Sequence, residues 1–199
     1  MKNILKIIIL TVFICIAYIS CSDSSDSFRE PDIPTEVEVP QWGTVWHPML
    51  FMDYTQGEGL KQAVKTTHSA IWSRLMVEAD KMQKRTPTAY RNDTGEQLWQ
   101  RTVGATMSQL AFVAYVSGEQ KYYDAAKTWA LASCNYPTWG TDDTSDGAEY
   151  GLAYGHQLLG LAMVYDYGQN NIDAESLTKI RETLISRTRR QYTAYRNLK

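Results

Sequence analysis

From Trp42 onward, apolar residues recur every three or four positions, and period-two alternation is nowhere sustained, so the pattern predicts helices and no strands. A first helix is expected over 58–83, with Leu60, Val64, Ile71, Leu75 and Met82 on one stripe. The segment "RTPTAYRND" breaks it. Thr94 and Gln97 then have capping-box spacing for a second helix over 96–117, with Leu98, Ala105, Leu110, Val113 and Val116 turned inward. A tight turn at "SGEQ" leads to a third helix marked by Tyr122, Ala125, Ala126, Trp129 and Ala130. After the loop "YPTWGTDDTSDG", a fourth helix spans 146–168. A fifth starts at Asp173, where Ile172 and Leu177 sit at the positions of a hydrophobic staple. Long helices joined by short turns pack as antiparallel hairpins, so the expected fold class is all-α.

The stretch before Trp42 has a different composition. Lys2 and Lys6 precede an apolar run too short to act as a stop-transfer span, and "YISC" follows. A small residue before a cysteine, then the polar "SDSSDS", is the pattern of a bacterial lipoprotein signal. The expectation is a signal peptide over 1–20 and lipid attachment at Cys21. Residues 21–41, acidic and proline-containing, then form a disordered tether, and residues 42–199 form the domain. The protein would sit at the bacterial outer membrane or cell surface, held to the membrane by its N-terminal lipid; the alternative is periplasmic. With Cys15 discarded and Cys21 acylated, Cys134 is left without an internal disulfide partner and is expected to pack as a small hydrophobe at a helix end.

Charge removes one class of partner. The chain carries 20 basic against 22 acidic residues; without Lys2 and Lys6 the basic count falls to 18, a net of −4. A nucleic-acid binder would show a basic excess instead. "DDTSDG" resembles a calcium loop only superficially, because Ala153 falls where the bidentate glutamate belongs. Asp146 and Glu149 read instead as the two halves of a reciprocal cap on the fourth helix. No metal site, cofactor motif, nucleophile elbow or phosphate loop is present in the sequence.

That fourth helix is apolar or small on every side yet carries His156. Positions 149, 153, 156, 160 and 163 would share one face of it. His156 is then either a hydrogen-bonded core residue or part of a cleft lining. Tyr150 and Tyr154 are further candidates, since aromatic rings stack on sugar faces. The candidate substrate-binding set is therefore Glu149, Tyr150, Tyr154 and His156.

Three segments, in order, resemble one family. "HPMLFM" ahead of a helix ending "EADKMQ" is similar to the entry segment of heparinase II/III-type polysaccharide lyases. "MSQLAFVAYVSGEQKYYDAAKTWALASCNYPTW" resembles that family's second hairpin, and "LAYGHQLLGLAMVYDYG" its Ala-x-x-Tyr-Asp-Trp helix. Met49 stands where arginine is usual and Tyr167 where tryptophan is usual. The resemblance implies an (α/α) toroid followed by β-sandwich domains, and β-elimination on an acidic, uronic-acid polysaccharide. It also implies that the catalytic groups lie on later helices and on the sandwich. On this reading the chain is an N-terminal piece, an incomplete toroid truncated before closure. No catalytic residue can then be assigned in it, and the missing C-terminal part is a possible partner. Two alternatives follow other chemistries: an unsaturated-glucuronyl hydrolase on a similar toroid, and a non-catalytic glycan-binding surface lipoprotein.

Overall fold

The computed structural model describes residues 47–91, 98–143 and 148–197; for residues 141–143, 148–150 and 194–197 it describes the backbone alone. The signal peptide, the Cys21 anchor, the tether, the Thr94/Gln97 capping box and Asp146 all lie outside the described residues. Six helices make up the described fold: α1 (Tyr54–Ala63), α2 (Ser69–Met82), α3 (Leu98–Ser117), α4 (Gln120–Cys134), α5 (Leu152–Tyr167) and α6 (Ala174–Asn197). The fold is all-α in its main elements. Its only described sheet is a hairpin of β1 (Thr141–Asp143) and β2 (Ala148–Tyr150), antiparallel, with Asp142 opposite Glu149. None of the helices among the described residues is long and apolar enough to cross a membrane.

The expected first helix is two helices. The Asp53 carboxylate accepts from the Gln56 amide at 2.8 Å while the Gln56 side chain accepts from the Asp53 amide at 3.0 Å, and this capping box starts α1. The helix ends at Ala63, and turns over 64–68 separate it from α2. In that turn the Thr66 hydroxyl bonds back to the Gln62 carbonyl, and the Thr67 and His68 side chains pair with each other at 2.7 Å. The Thr66 contact is a side-chain-to-backbone bond of the kind that competes with continuing the helix. The restart changes the helical phase, so Ile71, expected inside, is 70% exposed. Leu98 is likewise exposed at the start of α3, whereas Leu110, Val113 and Val116 are buried as their periodicity predicts.

Two hairpins form the centre of the fold, α3–α4 and α5–α6. Gly118, at φ 73, turns α3 into α4, a left-handed conformation that glycine adopts without strain. Gly104 on α3 abuts the backbone of His156 on α5, and further along Tyr115 on α3 stacks on Tyr167 of α5 at 5.2 Å. Both numbers rise together, so α3 and α5 run parallel. On the other side, Lys127 of α4 pairs with Asp173 at 3.1 Å, and Lys179 of α6 donates to Asn135 at 2.7 Å, so α4 and α6 run parallel as well. The core lies between these layers and includes Val103, Met107, Leu110, Leu161, Val164 and Ile180.

The hairpin corrects the expected start of the fourth helix. Residues 148–150 pair as a strand, Gly151 turns the chain at φ 97, and α5 begins only at Leu152. Glu149 therefore lies in a strand, ahead of the Gly151 N-cap position, and not in the first turn of the helix. Three-residue strands are too short to leave an alternating signature, which is why the sequence reading missed them. Nor is α5 enclosed all round: Leu152, Gly155, His156 and Leu159 form an exposed stripe on it.

The start of the last helix agrees with the sequence. Asp173 precedes α6, and its carboxylate accepts from the Ser176 amide at 2.9 Å and the Ser176 hydroxyl at 3.0 Å. Ile172 is buried and Leu177 packs on the same core. Those bonds, with Lys127, hold the Asp173 carboxyl down at about 2, against an ordinary 3.8. A depressed folded-state pKa gives stability that is present above the unfolded value and lost as pH falls through the folded one. The stability gap between wild type and Asp173→Ala should therefore be constant above pH 3.8 and close as pH falls towards about 2. Paired denaturant melts across that range measure it, and a gap that persists unchanged at pH 2 would contradict the cap.

Candidate functional site

The sequence-derived candidates do not converge. Tyr154 is buried, its ring 5.8 Å from that of Trp139. His156 is exposed, two residues and roughly 200° further round the helix at 3.6 residues per turn. That exposure excludes the core-histidine reading. Glu149 and Tyr150 lie on β2, where only the backbone is described.

Around Tyr154 the structure is firmly built. The Trp139 indole donates to the Ser133 carbonyl at 3.1 Å, and the Arg187 guanidinium lies 4.9 Å over the Trp139 ring while donating to the Tyr136 carbonyl at 2.6 Å. The Gly140 amide donates to the Gln100 side-chain oxygen at 3.0 Å, which fixes the approach to the hairpin. Below it, the Ser133 hydroxyl donates to the Gln157 side-chain oxygen at 2.7 Å, both residues fully buried. Tyr154 is thus part of a packed floor rather than a free stacking platform.

A second polar centre lies at the opposite end of α5, and sequence reasoning missed it. Asp166, in the "YDY" of α5, is 6% exposed and grips the segment before α1. Its carboxylate accepts from His47 Nδ1 at 2.5 Å, from the Met49 amide at 2.9 and 3.1 Å, and from the Leu50 amide at 2.9 Å. The His47 ring also meets Tyr165 edge-on at 6.2 Å, and the His47–Pro48 peptide is cis. A carboxylate near a helix C-terminus opposes the helix dipole, so it needs donors from elsewhere, and these three supply them. The sequence signal was a lone aspartate in an otherwise apolar helix; its partners lie more than 110 residues away.

Beside this clamp is a cavity of about 220 Å³. Pro48, Tyr54, Tyr115, Tyr123 and Tyr167 form its apolar walls; Lys61, Gln169, Asn170 and Asn171 add polar groups. The Lys61 ammonium sits 4.4 Å over the Tyr115 ring and pairs with Glu58 at 2.8 Å. Burial pushes the phenols of Tyr123 and Tyr167 up to about 12, and raises that of Tyr115 as well, against the opposing pull of Lys61. All three are neutral hydroxyls near pH 7. Tyr115 and Tyr167 are more than nine-tenths buried, and among the described residues neither hydroxyl, each shielded from solvent, has a hydrogen-bond partner. Over Tyr115 the chain of α1 comes so close that a Cβ on Gly57 would lie 2.0 Å from the phenolic oxygen.

Among the described residues no group of three histidine, cysteine or carboxylate side chains could hold a metal ion. Cys134 is a free, partly buried thiol whose pKa burial raises, so it packs at the end of α4 and is poorly suited to attack. Comparison with known protein families finds no match to this chain, and comparison with curated proteins finds none either.

Proposed function

We propose that this chain forms the first part of an (α/α) toroid of the heparinase II/III type, acting on uronic-acid-containing glycans by β-elimination. Within it, residues 47–197 provide framework and glycan contact rather than the reacting groups. The observation that carries this reading is the parallel packing of α3 on α5, with α4 and α6 returning in parallel on the other side. Stacked hairpins of that kind are the repeating step of an (α/α) toroid. The exposed stripe Leu152, Gly155, His156 and Leu159 is the face that a further inner helix or a glycan would cover.

The resemblance in the "HPMLFM" and "LAYGHQLLGLAMVYDYG" segments supports the same assignment, because these are the two segments that Asp166 ties together. His156 and the β2 residues Glu149 and Tyr150 are the proposed glycan contacts. Tyr154 is buried with its ring 5.8 Å from that of Trp139, so it is not itself one of these contacts.

The chain should bind hyaluronan, heparan sulfate or alginate and release no unsaturated uronide from them, read as ultraviolet absorbance. His156→Ala should weaken that binding by about two- to tenfold, the effect of one lost polar contact, with the melting temperature unchanged. Failure to bind any acidic glycan removes this reading. Turnover abolished by Tyr154→Phe would put the chemistry inside this chain and overturn the framework role.

A further inference from the structure

We propose that the cavity beneath α1 is a binding site for a single neutral pyranose unit. Its volume of about 220 Å³ is below the roughly 300–1,000 Å³ of sites for drug-sized ligands, so it suits one ring rather than a chain. Tyrosine faces and Pro48 form the walls and the amides of Asn170 and Asn171 complete the lining, the mixture of apolar surface and a few fixed polar groups that orients a small ligand.

Hydrogen-bond sense selects the ligand class. His47 spends Nδ1–H on the Asp166 carboxylate, so that nitrogen offers the cavity no donor. Lys61, which lines the cavity, is a donor. The asparagine amides both donate and accept. A ligand that must donate and accept at neighbouring positions is a polyol, and the tyrosine faces favour a ring with an apolar C–H face.

Charge points the same way. Lys61 is already paired with Glu58, and Asp166 is an anion in the cavity wall. The carbonyl ends of both α3 and α5 also point to this end, as Gly118 and Tyr167 line the cavity. A carboxylate or sulfate would meet that negative potential.

The test is separate from that of the acidic-glycan reading, since neutral-sugar binding and acidic-glycan binding can fail independently. The full chain is titrated with the methyl glycosides of glucose, galactose and N-acetylglucosamine, and with glucuronic acid, by saturation-transfer NMR. At least one neutral glycoside should saturate, with a dissociation constant of roughly millimolar order for so small a ligand. Glucuronic acid should bind at least about fivefold more weakly, the scale of one unfavourable polar contact. The double variant Asn170→Ala/Asn171→Ala, both exposed positions, should weaken binding about five- to tenfold with an unchanged melt. Tyr54→Ala, also exposed, should do the same by removing a wall. Absence of saturation with all three neutral glycosides, glucuronic acid binding as tightly as they do, or wild-type binding in both variants would each overturn the assignment.

Discussion

Gly104→Ala should destabilise the protein by about 3 kcal/mol, the upper part of the range for overpacking a closed core. A Cβ at that position would lie 2.3 Å from the backbone carbon and oxygen of His156 and 2.7 Å from the Gln157 nitrogen. No rotamer change relieves those contacts, because the atoms it meets are backbone. Gly160 answers from the other helix, with its own Cβ position 2.4 Å from the Gly104 carbonyl oxygen. The only relief is to move α3 away from α5, which loosens Val103, Met107, Leu161 and Val164 together. Gly155→Ala is the matched control. Nothing lies within 4 Å of its Cβ position, so alanine should be neutral or stabilising by up to about 1 kcal/mol through helix propensity. Urea melts of the two variants give the comparison. Equal stabilities would mean that α3 and α5 do not cross at these glycines.

Asp166→Ala should release the segment ahead of α1. It leaves His47 Nδ1 and the Met49 and Leu50 amides without their acceptor, at a cost of about 3 kcal/mol for losing bonds to a buried charged group. The loss should be local. Amide exchange should accelerate over 47–63 while α3 and α4 keep their protection, since α1 has few buried residues of its own. Asp166→Asn keeps one acceptor oxygen and should fall between wild type and alanine. His47→Ala removes one donor and leaves both backbone bonds, so about 1 kcal/mol is expected. Unchanged exchange over 47–63 in the alanine variant would show that the clamp does not hold this segment.

Much of the helical framework is legible in the chain itself. Periodicity located α3 and the start of α6 to within a few residues, and the residues expected to mark the third helix all fall within α4, because the 3.6-residue repeat is a local property of each segment. The Gly118 turn and the Asp173 cap were readable for the same reason: their partners lie within a few residues. Leu110, Val113 and Val116 are buried as their spacing requires.

What failed was in part local irregularity and in part contacts distant in sequence. The break over 64–68 left a continuous apolar stripe in the sequence, and only the restart of the helix turned Ile71 outward. The β1–β2 pairing withdrew residues 148–150 from the helix they were assigned to, and with them the shared face of Glu149 and His156. Glycine composition foretold close packing in α5 but not which glycine serves it; Gly160 meets α3 and Gly155 meets nothing. Asp166 stood out as an aspartate in an apolar helix, but its role could not be read, because its partners His47, Met49 and Leu50 lie more than 110 residues earlier. The sequence by itself determined where most of the helices form, since the periodicity that marks them acts over a few turns. Which faces are buried, where two backbones touch and which polar groups meet were decided by tertiary packing, which joins residues that no local pattern relates.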